Sequence, residues 1–218
     1  MTILITNPNH DITTSYLYYY TKEINDFAIK EIGSKPLYLE GSRLNRQTVT
    51  SIIKDQNPKL VLLNGHGDHN KIFGNKIYRS SEPEVIFEGD VNHSILSRRL
   101  IYARSCWAGK SLGPKIVSNR GCFIGYVTPF EFWNDENWST NPAKDKTAYL
   151  FLDPSNEVAR SLIKGIGASE SAEKFKVLCK KNILKLLNNN QPGSMRFIKS
   201  LWTNIQGQVV LGEVDMRY

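Results

Sequence analysis

The sequence predicts an α/β fold built on a mainly parallel sheet flanked by helices, and three observations predict it. Short apolar runs alternate with segments of helical period through the first 65 residues, which read β-α-β-α-β. Leu60 to Leu63 and Leu100 to Ala103 are continuous apolar runs, the pattern of strands buried on both faces. Each then breaks into small residues, Asn64-Gly-His-Gly67 after the first and Ser105-Cys-Trp-Ala-Gly109 after the second.

The elements follow in order. Ile3 to Thr6 is a short β-rich run stopped by Asn7-Pro8-Asn9. Thr13 or Thr14 then caps a helix to about Ile32, with Tyr16, Tyr20, Ile24, Phe27 and Ala28 at helical spacing and Gly33 as C-cap. Pro36 to Leu39 is a second strand, and a helix from Arg46 to Gln56 ends at Asn57-Pro58, just before the strand at Leu60. Residues 68 to 88 read as a loop with a small hairpin, and Asp90 to Leu96 as a short capped helix. Beyond the strand at Leu100 come a helix over Ser111 to Asn119 and a fifth strand, Gly121 to Val127. Pro129 to Lys146 has two tryptophans and little periodicity, which marks a long functional loop. Helices over Ser155 to Lys164 and Ser169 to Leu187, a break at Asn188 to Gly193, a helix over Ser194 to Asn204 and a strand at Gln208 to Gly212 complete one domain, residues 1–218. Residues 150–218 carry no motif beyond this helical completion and last strand.

Composition excludes several classes of function. The net charge of +7 is spread out, with no run of five or six cations, which argues against a nucleic-acid partner. No apolar run reaches the length of a membrane span, and Met1 to Pro8 lacks the cationic and apolar regions of a secretory leader. Three cysteines, an odd number without framework spacing, fit a reducing compartment, so the expected location is cytoplasmic.

The chemistry concentrates in His66 and Cys106, each just past the carboxyl end of a strand, the edge at which open parallel sheets bind ligands. A free thiol has a pKa of about 8.5 and needs help to ionise. Two helpers are predicted: the imidazole, and a helix N-terminus near Gly109 to Ser111. The amides of Gly67 and Cys106 are candidates for an oxyanion hole. Either residue alone fits a structural role, a buried small side chain or a histidine in a glycine turn; the pairing favours chemistry. Cys122, inside a strand, and Cys179, on a helix face with Phe175 and Ile183, are expected in the core.

The pieces Leu-Val-Leu-Leu-Asn-Gly-His66-Gly67 and Ile-Tyr-Ala-Arg-Ser-Cys106-Trp-Ala-Gly109 resemble the caspase-like cysteine peptidases of clan CD. Caspases, metacaspases, gingipains, clostripain, separase and the bacterial CHAT-type members belong there. The resemblance covers about residues 1 to 130 and is nearest the bacterial CHAT-like branch. It implies the three-layer caspase/hemoglobinase fold, His66 as catalytic histidine, Cys106 as nucleophile, and oxyanion amides from Gly67 and Cys106. A thioester acyl-enzyme and a hydrolysed peptide bond follow from those roles. The resemblance implies no third catalytic carboxylate and no cofactor, so none is assigned. Asp68, adjacent to the histidine, either orients His66 or is a solvated loop carboxylate, and the second reading is favoured. The implied partners are a protein or peptide substrate and an activating partner.

In the family the residue two before the cysteine helps line the P1 pocket, here Arg104, and a guanidinium there predicts an acidic P1 residue. Glu131 is predicted either to pair with Arg104 or to favour a cation, and Phe130, Phe132 and Trp133 either wall subsites or pack on the core. Two further classes stay open. One is a metal-dependent hydrolase using His66, His69, His93, Asp68 and Asp90, whose spacing matches no usual zinc motif. The other is a catalytically silent binding module on the same fold.

Overall fold

The computed structural model describes residues 2–76, 80–189 and 193–218. The chain runs β1 (Ile3–Asn7), α1 (Ile12–Ile32), β2 (Leu37–Glu40), α2 (Arg46–Gln56), β3 (Leu60–Asn64), β4 (Lys71–Lys76) and β5 (Pro83–Glu88). It continues through β6 (Leu100–Arg104), α3 (Leu112–Val117), β7 (Cys122–Tyr126), α4 (Lys146–Ile163), α5 (Ala168–Asn189), α6 (Ser194–Gly207) and β8 (Gln208–Gly212). The central sheet has the order β2-β1-β3-β6-β7-β8, parallel except for β8, which lies antiparallel to β7.

Strand alternation divides the core into two layers. Ile3 and Ile5 of β1 and Leu60 and Leu62 of β3 face Tyr16, Tyr20 and Ile24 of α1 together with α4, α5 and α6. Leu4, Val61 and Leu63 face Val49 and Ile53 of α2, the α3 helix and the β4–β5 hairpin. The result is a mainly parallel sheet flanked by helices on both faces, as predicted. The chain leaves β1 toward β2 on one side and returns to place β3 on the other. The carboxyl ends of β1 and β3 therefore form the switch point where such sheets open a crevice.

Several boundaries differ from expectation for identifiable reasons. The cap of α1 is Asp11 rather than a threonine: its side chain accepts from the Thr14 N–H while the Thr14 hydroxyl accepts from the Asp11 N–H, a closed capping box. Gly33 does close the helix, at φ 67°. Helix α4 begins nine residues earlier than Ser155 (155 − 146) and runs straight through Pro154. A proline there frees the carbonyl of Leu150 and costs about 3 kcal/mol in an isolated helix. Here the Asn182 side chain of α5 donates to that carbonyl at 2.8 Å, and Asp145 caps the early start through the Thr147 and Ala148 amides. The hairpin is larger than expected, α3 is shorter, and Asp90 to Leu96 contains only a 3-10 turn, His93–Leu96. The predicted break at 188–193 lies partly outside the described residues. No helix among them is long and apolar enough to cross a membrane.

Candidate active site

Register brings the loops that carry the two predicted residues side by side. Strands β3 and β6 are neighbours, with Asn64 opposite Arg104. His66 and Cys106 each lie two residues further on, at equivalent positions beyond the same edge. The loops then touch through a residue without a side chain. A Cβ on Gly67 would fall 2.8 Å from Ser105 Cβ and 3.0 Å from the Cys106 carbonyl oxygen. Beyond Gly67, the His69 carbonyl accepts the amides of Ser111 (3.1 Å) and Leu112 (2.9 Å), and the His69 ring meets Trp107 edge-on at 5.8 Å. The histidine loop and the cysteine loop are thus one stitched unit.

His66 is oriented from the β1 loop. Its Nε2 lies 2.7 Å from Asp11 Oδ2. A carboxylate only accepts, so in the neutral imidazole Nε2 carries the hydrogen and Nδ1 keeps the lone pair. Partial burial pushes the Asp11 carboxyl up, but the Thr14 amide, His66 and the Thr14 hydroxyl outweigh it and hold it at about 2. Asp11 divides its oxygens: Oδ1 caps α1 through Thr14, and Oδ2 holds His66. Asp68, the carboxylate adjacent in sequence, instead accepts the Asn70 amide within its own loop.

Cys106 is partly exposed, whereas Cys122 and Cys179 are buried as expected. Burial pushes the Cys106 thiol above its ordinary value. The Phe130 and Cys106 amides oppose that shift, and Glu131 adds to it. The predicted helix dipole gives no help: α3 has six residues, starts at Leu112, and spends its first donors on the carbonyls of His69 and Ala108. A raised pKa means a neutral resting thiol at pH 7, with thiolate appearing only as pH climbs through the raised value. The rate of Cys106 alkylation by iodoacetamide should therefore rise about tenfold per pH unit between about pH 7 and 8. A limb that saturates below about pH 6 would contradict this. Among the described residues, the Gly67 and Cys106 amides donate to no backbone acceptor.

Of the predicted specificity residues, Arg104 lies inside the fold rather than at its surface. Arg104 is 3 % exposed and its guanidinium is taken up by buried side-chain oxygens. Nε donates to Asn64 Oδ1 (2.6 Å), Nη1 to Asn156 Oδ1 (2.7 Å) and Ser155 Oγ (3.3 Å), and Nη2 to Thr21 Oγ1 (2.6 Å). It knits the β6 end to α1 and α4. Glu131 makes no pair with it; Oε2 of Glu131 accepts the Ser200 hydroxyl at 2.6 Å and its backbone is clamped by Asn204. Trp133 donates to Ser200 Oγ at 3.0 Å, lies under the Arg196 guanidinium and is 39 % exposed. Phe130 and Phe132 pack on the core.

The metal set left open for a hydrolase does not assemble among the described residues. His93 Nδ1 accepts the Asp90 amide and Asp90 pairs with Lys115, away from His66. Among the described residues the group whose ligand atoms converge is His10, Asp11 and His66, all within 4.8 Å of one another. His10 and Asp11 escaped the sequence prediction. Two signals point to them: a capping-box pattern directly after the first strand, and the switch point, which sets the β1 loop beside the β3 loop. No family model and no curated protein matches this chain.

Proposed function

We propose that this chain is a caspase-like cysteine endopeptidase of the cytoplasm in which Cys106 is the nucleophile, His66 its base and Asp11 the residue that positions His66. The observation that carries this is the register-matched placement of His66 and Cys106 beyond adjacent strands, with their loops in contact at Gly67. Sulfur attacks the scissile carbonyl as His66 Nδ1 takes the thiol proton. The amides of Gly67 and Cys106 receive the oxyanion. The C–N bond then breaks, His66 returns the proton to the departing amine, and water resolves the thioester by the same route. A neutral resting thiol suits such a base, which acts only when substrate arrives. An activating partner belongs to the same reading at family level.

Hydrolysis of a peptide library tests it. Cleavage should survive EDTA and be lost with iodoacetamide or Cys106→Ala. Loss with EDTA alone would assign a metal-dependent hydrolase, and a Cys106→Ala chain with full biological effect would assign a binding module.

Substrate choice follows from charge. With Arg104 buried and bonded, Glu131 is, among the described residues, a charged group close enough to raise the Cys106 thiol, and one of its oxygens is held by Ser200. A cationic side chain at P1 is therefore favoured, the reverse of the preference that Arg104 suggested. A fluorogenic panel should show Lys or Arg at P1 cleaved about tenfold or more faster than Asp or Glu, with Glu131→Gln narrowing the ratio. Cleavage confined to Asp or Glu would contradict this.

A further inference from the structure

Three groups at the switch point form more than an orienting hydrogen bond. His10 Nε2 lies 3.6 Å from the same Asp11 Oδ2 that His66 Nε2 approaches at 2.7 Å, and the two rings stand 5.8 Å apart. The tautomer of His10 is fixed from outside the cluster. Asn75 Oδ1 accepts the backbone N–H of Asn9 at 2.9 Å, which identifies that atom as oxygen, and His10 Nδ1 lies 3.2 Å from it. Nδ1 is therefore a protonated nitrogen, and in the neutral ring Nε2 presents its lone pair toward Asp11 and His66. An outer-sphere acceptor on one histidine nitrogen is the arrangement that prepares the other for a metal. The carboxylate is prepared as well, because Thr14 holds Oδ1 and leaves Oδ2 facing both imidazoles. In a tetrahedral zinc site, bond lengths of about 2.0–2.2 Å set neighbouring ligand atoms about 3.3–3.6 Å apart, which the His10–Asp11 spacing meets and the hydrogen-bonded His66–Asp11 spacing reaches by opening about 0.6 Å or more. His10 is nearly buried while Asp11 and His66 are open to solvent, which provides both a fixed base and an entry path.

We propose that His10, Asp11 and His66 bind a zinc-class divalent ion through two imidazole nitrogens and one carboxylate oxygen, and that the bound ion switches off the thiol chemistry. The second clause rests on the peptidase reading; the first does not. On binding, the ion takes the lone pair of His66 Nε2. The proton leaves that nitrogen and Nδ1 is protonated in its place, so the neutral ring has no lone pair left for the Cys106 proton. The ion removes the base without touching the sulfur.

Two measurements on the full chain, in buffer free of thiols and chelators, test this. Competition with a chromophoric chelator should show one zinc per chain, and cobalt should give the visible absorption of a low-coordinate nitrogen–oxygen site. His10→Ala should weaken zinc at least about tenfold, Asn75→Ala about tenfold through loss of its outer-sphere acceptor, and Cys106→Ala less than threefold. Melting curves show which variants are folded, and Asn75→Ala carries the comparison if His10→Ala is not. In parallel, zinc should slow labelling of Cys106 by a peptide probe, each variant being compared with its own metal-free rate, and the half-inhibiting concentration should shift with the zinc affinity. Absence of binding, or binding lost in Cys106→Ala and unchanged in His10→Ala, would overturn the site. If no chain is labelled while chelator competition still shows the predicted pattern, the site stands and the peptidase reading fails.

Discussion

Asp11→Asn should lower kcat/KM for peptide hydrolysis by about 10²-fold or more while changing folding stability by less than about 1 kcal/mol. Asparagine is as good a helix cap as aspartate, so its oxygen goes on accepting the Thr14 amide and α1 keeps its start. Its amide group, however, donates to His66 Nε2 where the carboxylate accepted. The ring must then carry its hydrogen on Nδ1, the wrong tautomer for taking a proton from sulfur. The loss should fall on kcat rather than KM, because substrate contacts are untouched. Asp11→Ala separates the roles from the other side: it loses the cap as well, at about 1 kcal/mol. Activity of Asp11→Asn within threefold of wild type would show that Asp11 does not position the base.

The second large effect concerns stability. Arg104→Lys should destabilise the fold by about 2–4 kcal/mol and leave the P1 preference where it was. The guanidinium serves four oxygens in a buried space. Two of them belong to hydroxyls whose own hydrogens are already given to the carbonyls of Leu17 and Leu152. An ammonium group lacks the planar fork that reaches Asn64, Thr21 and Asn156 at once, so buried acceptors lose their donors at about 1–3 kcal/mol each. Chemical denaturation gives the stability and the fluorogenic panel gives the preference. Unchanged stability with an altered P1 profile would return Arg104 to the substrate pocket.

What was legible in the sequence follows from which interactions are local. Strands β3 and β6 announced themselves because burial on both faces removes the need for polar alternation. The adjacency of the His66 and Cys106 loops was legible because the two loops leave neighbouring parallel strands at matching positions. Helix α4 was half missed: the residue that makes Pro154 tolerable, Asn182, sits 28 positions away on another helix (182 − 154). Asp11 was missed for a similar reason, since its partner His66 lies 55 positions on. Arg104 was misread although a local rule covered it. Tyr102 and Arg104 share a strand face by alternation, and Tyr102 points into the layer covered by α1 and α4. Position two before the cysteine therefore turned inward, beneath the edge instead of over it.

The central claim is that Cys106 becomes a nucleophile only through His66. Intact-mass measurement after incubation with a peptide bearing a thiol-reactive group at the scissile position reads this directly. One probe mass should add to the wild-type chain and none to Cys106→Ala, with labelling of His66→Ala slowed about 10²-fold or more. Equal labelling of wild type and His66→Ala, or probe mass retained by Cys106→Ala, would contradict the account.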